Sequence, residues 1–536
     1  MFTVAKPFPA VTLQSFLSAF RAARRGRRTV QNKEGESMRK NFGKAIDKKV
    51  FIFSGLICLL FLILTVIAPN QASAVFSKIL SVFSADFGWL YLLVVVFFIV
   101  FLFYLAISKY GKIKLGKDTD RPAYSRRNWF FMLFAAGMGI GLVFWSVAEP
   151  MSHYLFPPYG EGSTSESATL AMRYVFTHWG IHPWACYGII GLPLAYFQFR
   201  KDRPALLSSC VEPIVGETKV GAVVGSIVNV LAIFATVFGM ATSLGLGAMQ
   251  INSGLHYVFG IPCCNSVIFG IIAVTSVFFI TSSVSGIDKG MRILSNTNMV
   301  ILIILFLFVF FSGATLFVTN FFVNSLGEYI SNLITTSFWT DPFDKSDNWL
   351  SSWTIFYWAW WISWGPFVGG FIARISKGRT IREFVFGTLL CPSILSFVFM
   401  AVMGGNAIHL DMQGVSIIAD ATQENISCAL FALLSQFPLP NILSLMAIIL
   451  VFVFFVTSAD SSTYVCATLT AKGVQNPPSS LKIFWGVIES SVAAVLLYVG
   501  GLSALRSAAI IAALPLMFVC LLMAAALMKT LKHDIS

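Results

Sequence analysis

Apolar runs of about twenty residues recur along almost the whole chain, and that recurrence limits the fold more than any other feature. In hydrocarbon every backbone N–H and C=O must find a partner within the protein, so a run of about 20 residues spans as a helix. Twelve runs are read, at about 51–68, 89–109, 129–148, 175–198, 221–248, 263–284, 297–318, 353–374, 384–404, 441–463, 481–499 and 508–527. Of 536 residues 57% are hydrophobic and 11% charged, with a mean hydropathy of +0.79, so a bilayer is the expected solvent. The dyad alternation of a membrane β-barrel is absent. The expected fold class is an all-α polytopic membrane protein with twelve transmembrane helices.

Lys and Arg set the orientation. With a cytoplasmic N-terminus, the inner connections carry the Lys and Arg residues of 109–127 and 200–203, Lys219, Lys289, Arg292, those of 374–382 and Lys472, and the outer ones only Lys78, Arg173, Lys345 and Arg506. Both termini are then cytoplasmic, and the setting is the cytoplasmic (inner) membrane. The net charge of +13 follows from these loops, which argues against a nucleic-acid partner. Residues 1–50 read as a basic cytoplasmic segment. Its "RAARRGRRTV" has the charge of a targeting or lipid-headgroup tail, while Met38 opens a second plausible lead into the first helix, so residues 1–37 read as a dispensable extension. Residues 529–536 form a short cytoplasmic C-terminus. The nine cysteines lack C-x-x-C spacing and the six histidines lack ligand spacing, so no metal other than a coupling ion, and no cofactor, is expected. No polar catalytic cluster appears, which excludes an enzyme. A channel's continuous polar pore and a sensor's output domain are also missing. In the outer segment 320–352, Phe322, Leu326, Tyr329, Ile330 and Leu333 recur at helical spacing and predict an amphipathic surface helix.

Two spans are interrupted. "AAGMGIGLVFWSVAEP", 135–150, places Gly137, Gly139 and Gly141 at every second position, and "WAWWISWGPF", 358–367, ends in Gly-Pro. Such residues weaken a helix by about 1 kcal/mol for Gly and about 3 for Pro. Two readings stand: close helix packing through small residues, or paired broken helices at a transporter's midplane site. The interruptions lie five spans apart. The second reading divides the chain into two leading helices with their inner loop (51–128), a first five-helix repeat (129–319) and a second (353–528).

Trp353 and Trp358 fit interfacial anchoring, but Trp360, Trp361 and Trp364 fall about 11–17 Å into the span at 1.5 Å per residue. Their indole N–H groups need partners there, so they are expected to line a cavity. The fourth span adds "HWGIHPWACY", with Trp179, Trp184 and Tyr187 on about one side of a helix. Rings from two helices can box a quaternary ammonium, each contributing roughly 0.5–2 kcal/mol when desolvated. Neither cluster contains Asp or Glu, which a primary amine would favour. In the tenth span, "FFVTSADSSTY" supplies hydroxyls at Thr457, Ser458, Ser461, Ser462 and Thr463. They either bond back to the preceding turn or offer oxygens to a bare sodium ion. Asp460 is costly at that depth and should be paired or face water.

Together these stretches, with "ATVFGMATSLGLGAMQI", "SNTNMV" and "FVGGFIARISKGRTIREF", resemble the betaine/carnitine/choline transporter family over roughly 50–530. The likeness is greatest to sodium-coupled glycine betaine carriers of Gram-positive bacteria, through "AAVLLYVGGLSAL" and "AALP". It implies a five-plus-five inverted repeat of the leucine-transporter kind, two peripheral leading helices and often a homotrimer in membrane lipid. It also implies a substrate box of Trp179, Trp184, Tyr187 and Trp361 beside Met138 and Gly139, and pathway rings Trp360, Trp364 and Phe367. One sodium site is implied at Ala135 and Met138 (by their carbonyls), Phe454, Thr457 and Ser458. A second would use Thr236 and Phe367, but Met240 stands where sodium-coupled members carry another threonine, and Gly365 replaces the usual serine. Proton-driven choline carriers tend to carry aspartate at the position of Gly141. The resemblance therefore implies sodium symport of glycine betaine, with a proton-coupled or uniport choline or carnitine carrier as the alternative.

Overall fold

The computed structural model describes residues 46–535 apart from 138, 286–287 and 344–347, with backbone only at 85, 134–137, 288–292 and 535. Most of the basic segment 1–50, and Met138, thus lie outside the described residues. Lys49–Ser536 forms a compact unit of its own, separate from Met1–Lys48.

The described residues contain helices, turns and a single isolated β-bridge, Lys114 to Thr380. In chain order the helices are α1 (Lys48–Ile67), α2 (Pro69–Ile107), α3 (Arg126–Gly137), α4 (Ile140–Leu155), α5 (Ser165–Trp179), α6 (Ile181–Ala195), α7 (Leu207–Val215), α8 (Lys219–Phe259) and α9 (Asn265–Ser285). Then follow α10 (Asp288–Ser312), α11 (Thr315–Ser331), α12 (Leu333–Ser337), α13 (Phe356–Ile375), α14 (Ile381–Met412), α15 (Ile417–Glu424), α16 (Ala429–Leu434), α17 (Pro440–Thr470) and α18 (Ser479–Ile535). Among the described residues, eight helices are long and apolar enough to cross a membrane. This is an all-helical polytopic membrane protein.

The third run breaks as expected. Gly139 is extended between α3 and α4, with φ −149° and ψ −172°. The eighth run departs from expectation: α13 continues unbroken through Gly365 and Pro366, and its irregularity is a π-helical turn at Ser351–Ile355 ahead of it. Tight lateral packing explains the continuity. A Cβ on Gly191 of α6 would stand 2.9 Å from the carbonyl oxygen of Gly369, so the two backbones touch through facing glycines. The second break falls instead in the fourth run, at Gly180 (φ −91°, ψ −137°) between α5 and α6. A Cβ there would meet the Phe176 carbonyl at 2.4 Å, Phe397 at 2.8 Å and the Tyr329 hydroxyl at 2.9 Å. Trp179 and Trp184 therefore sit on two helices rather than on one face of one helix.

The outer segment is helical, but its buried face is Val318, Phe321, Ser325 and Tyr329, while Ile330 is exposed. Tyr329 packs on Phe397 at 5.0 Å, and that contact rotates the helix about its axis relative to the face read from the sequence. Trp353 and Trp358 are not lipid-facing anchors either. Both are buried, Trp353 lying 4.5 Å from His153 and Trp358 stacking on His182 at 4.9 Å.

The basic connections gather at one end. Lys117 pairs with Asp202 at 2.6 Å, Arg200 with Asp118 at 2.8 Å, Lys201 with Asp534 at 2.6 Å and Arg126 with Glu383 at 2.8 Å. The Arg200 hydrogen bond holds the Asp118 carboxyl below its ordinary range. Leu115 donates its N–H to Arg379 O at 2.8 Å, which joins the loop after α2 to the start of α14.

Candidate functional site

The rings of α13 meet those of α5 and α6 around one enclosed point. Trp361 lies 5.0 Å from Trp179, edge-on, and 6.2 Å from Tyr187; Trp184 lies 5.5 Å from Tyr187. Trp360 stacks on Trp361 at 4.7 Å, and Trp364 crosses Trp360 at 5.7 Å. These rings, with Gly139, Gly141, Leu142, Pro183 and Ser396, enclose a cavity of about 20 Å³. A water-sized occupant needs roughly 10–15 Å³ by this measure, so the rings stand close together around it.

The three α13 indoles that line the cavity are anchored. Trp360 Nε1 donates to Ser243 Oγ at 3.2 Å, Trp361 Nε1 to His178 O at 3.1 Å and Trp364 Nε1 to Gly239 O at 3.1 Å. Both the donor and the ring face are thereby fixed, which presents the π surfaces to the cavity. Gly141 makes the close ring arrangement possible: a Cβ there would stand 2.5 Å from Trp360 and 3.3 Å from Trp179. Gly365 is similarly constrained, since a Cβ would meet Ile190 at 2.4 Å. No carboxylate lines the cavity.

One carboxylate stands directly behind it. Glu149, wholly buried, accepts from Trp179 Nε1 at 2.7 Å and from the Tyr357 hydroxyl at 2.5 Å through the same oxygen, Oε2. Its Oε1 lies 2.7 Å from His178 Nδ1 and 3.3 Å from His153 Nε2, and His178 Nε2 reaches Thr354 Oγ1 at 3.0 Å. This network fixes the plane of Trp179. The same three side chains, Glu149, His153 and His178, bring ligand atoms within 4.8 Å of one another, a grouping that histidine spacing did not reveal. Mutual hydrogen bonds and the two donors on Oε2 already account for this grouping.

A second cavity, of about 210 Å³, adjoins the box and shares Gly139 and Trp364 with it. Phe367, Phe454, Thr457 and Ser458 line it, so the structure brings together the described side chains of the first ion site and two of the pathway rings. Thr457 Oγ1 bonds back to Val453 O at 3.0 Å, as the simpler reading of these hydroxyls requires. Asp460 accepts from Ser282 Oγ at 3.5 Å, as a carboxylate at that depth should be paired. Met138 is outside the described residues, and of Ala135 only the backbone place in α3 is described. Thr236 lines neither cavity; its hydroxyl donates to Ala232 O at 2.7 Å, and Met240 is fully buried.

Residues 49–536 match the family described as BCCT, betaine/carnitine/choline family transporter. The chain belongs to the betaine/carnitine/choline transporter family. It is 46% identical over 495 residues to a probable glycine betaine transporter of Desulfitobacterium hafniense (strain Y51), covering 91% of this chain and 99% of the relative. It is 48% identical over 471 residues to the glycine betaine transporter OpuD of Bacillus subtilis (strain 168), covering 88% and 91%. It is also 44% identical over 488 residues to an ectoine/hydroxyectoine transporter of Virgibacillus pantothenticus, covering 91% and 97%. Membership of the betaine/carnitine/choline family makes the chain a transporter and not an enzyme. Within the family frame, sequence reasoning missed Glu149 as the group that orients the box. Its signal was the "AEP" triplet, an acid set inside an apolar run and an unusual place for a charge to be carried.

Proposed function

We propose that this protein is a sodium-coupled secondary transporter that imports a quaternary-ammonium compatible solute, glycine betaine before choline or carnitine. The observation that carries the reading is a box of anchored aromatic rings, without a carboxylate in its wall, next to a hydroxyl-lined cavity. Trimethylammonium cannot donate an ordinary hydrogen bond, and π faces are what remains to bind it. Glu149 works from behind: its carboxylate accepts from the Trp179 indole, which enriches that ring's face. The relatives named as glycine betaine transporters support the same substrate class. Gly141 supports sodium rather than proton coupling, because an aspartate there would collide with Trp360 in this arrangement.

In this reading Trp179, Trp184, Tyr187 and Trp361 hold the ammonium beside Met138 and Gly139, and Trp360, Trp364 and Phe367 line the way inward. Sodium binds between the carbonyls of Ala135 and Met138 and the side chains of Thr457 and Ser458, with Phe454 beside them. A second sodium at Thr236 and Phe367 is the weaker part of the reading, since Met240 supplies only a thioether. No cofactor beyond the ion is used. Betaine is a net-neutral zwitterion, so the membrane potential alone does not concentrate it. Each co-transported sodium contributes about 2.3 kcal/mol per 100 mV.

The topology proposed is twelve spans in a five-plus-five inverted repeat after two leading helices, with both termini cytoplasmic and the protomers assembled as a trimer in the inner membrane. The helices α3–α4, α5–α6 and α13 fall outside the eight plainly apolar spans because breaks shorten two and aromatic, Ser, Gly and Pro residues dilute the third. Adding them, and dividing α18 at Gly500–Gly501, reaches twelve. The basic end of the molecule is then the cytoplasmic face. Uptake of labelled betaine, choline and carnitine into proteoliposomes, with and without an inward sodium gradient, tests the function. Sodium-dependent accumulation of betaine above the other two is expected. Uptake that follows a proton gradient and ignores sodium would overturn the proposal.

A further inference from the structure

Glu489 lies on the first part of α18, inside the apolar bulk and away from the box. It is wholly buried, as are Ser462 and Thr463 of α17 opposite it. Its Oε2 lies 2.8 Å from Ser462 Oγ and 3.0 Å from Thr463 Oγ1, and its Oε1 lies 3.7 Å from Cys466 Sγ. Trp485, one turn earlier, seals the site by donating to Thr470 Oγ1 at 3.2 Å, and Phe484 packs on Phe51 of α1 at 5.0 Å. The titratable groups facing Glu489 from its neighbours are Cys466 on α17 and Cys58 on α1. From α9 comes a hydroxyl, Ser276, bonded to Ser490 at 2.6 Å. The lysine nearest in sequence, Lys482, turns away to donate to Ser283 O at 2.8 Å. Among the described residues no Lys, Arg or His pairs with Glu489. A bare carboxylate in such a place is strongly disfavoured.

Hydrogen accounting at Ser462 points to a proton as what fills the deficit. Its Oγ lies 3.1 Å from Ala459 O as well as 2.8 Å from Glu489 Oε2. A serine hydroxyl has one hydrogen. With a carboxylate, Ser462 has one hydrogen to share between these two acceptors. With a carboxylic acid, Glu489 Oε2–H donates to Ser462 Oγ, and Ser462 donates onward to Ala459 O; Thr463 still donates to Glu489. We propose that Glu489, Ser462 and Thr463 form a proton-binding site within the membrane, occupied at neutral pH. The bound proton ties α17 to α18 one turn beyond Thr457 and Ser458, the hydroxyls given to sodium above. Loss of the proton breaks the relay and leaves an unpaired charge at that joint.

The test is infrared spectroscopy of the purified full chain in lipid at neutral pH, with the parent, Glu489→Gln and Ser462→Ala. A protonated-carboxyl band present in the parent and absent from Glu489→Gln is expected, and so is a shift of that band in Ser462→Ala. Identical bands in parent and Glu489→Gln, no shift in Ser462→Ala, or a band that vanishes when sodium replaces potassium would each overturn the site. This arm needs no substrate, so it stands or fails apart from the transport reading. In uptake assays the parent should decline at alkaline pH, whereas Glu489→Gln, a permanent neutral donor, should stay within about twofold of the parent at neutral pH and not decline. A correctly inserted but inactive Glu489→Gln would show instead that the charge itself is needed.

Discussion

Trp361 touches more of the box than any other ring, contacting Trp179, Tyr187, Trp360 and Trp364. Trp361→Leu keeps apolar bulk and removes the π face. A desolvated ring contributes roughly 0.5–2 kcal/mol, so betaine affinity should fall about tenfold while membrane insertion stays normal. Unchanged affinity in calorimetry on the purified variant would remove Trp361 from the box. Ser458 makes a different kind of contribution: it lines the neighbouring cavity with Thr457 and offers an oxygen. Ser458→Ala changes volume little, so the expected outcome is a several-fold higher sodium concentration for half-maximal uptake, with betaine selectivity intact. The sodium dependence of initial rates checks this, and identical curves would remove Ser458 from the ion site. Residue types made most of the site legible. Rings too deep to be anchors and hydroxyls in an apolar helix are both expensive unless used. Glu149 stayed hidden because one acid in a run gives no partner, and its partners Trp179, His178 and Tyr357 come from other helices.

Among the elements, the helix breaks were only half legible. Gly137, Gly139 and Gly141 announced the first, and the backbone indeed turns extended at Gly139. Gly365-Pro366 announced a second that does not occur, because facing glycines clamp α13 against α6. The actual break, at Gly180, has its local signal in Pro183, which cannot donate to the Trp179 carbonyl and so starts a new helix rather than continuing the old one. The Tyr329 hydroxyl and the Phe397 ring leave no room for a Cβ at Gly180. Gly180→Ala should therefore cost roughly 1–3 kcal/mol by overpacking and misplace Trp179 relative to Trp184. A drop of several degrees in thermal unfolding, together with weakened betaine binding, is the outcome expected from scanning fluorimetry with and without betaine. A variant as stable as the parent would show that the junction has room to spare. The external helix gives the same lesson: its helicity was readable from spacing, whereas the face it buries depends on Tyr329 meeting Phe397.

At the scale of the whole molecule, the run of apolar segments and the inward bias of Lys and Arg already dictated an all-helical membrane protein, and the basic connections do converge at one end. What no single run could state is how the broken and ring-rich helices meet, where α5, α6 and α13 bring their rings into one box. Met240 is the place where ion stoichiometry should show itself. A thioether is a poor ligand for a hard cation, so the parent should couple one sodium per betaine by reversal potential. Met240→Thr should raise that ratio by restoring a hydroxyl one turn from Thr236. A ratio of two in the parent that persists in Met240→Leu would contradict single-ion coupling. The central claim, that a ring-built box binds a quaternary ammonium under the control of sodium, is tested most directly by equilibrium binding of glycine betaine to the purified protein in sodium and in potassium, followed by tryptophan fluorescence. Saturable binding that tightens in sodium and weakens stepwise as methyl groups are removed from the ammonium is the predicted result. Binding indifferent to sodium, or equally strong for glycine, would contradict it.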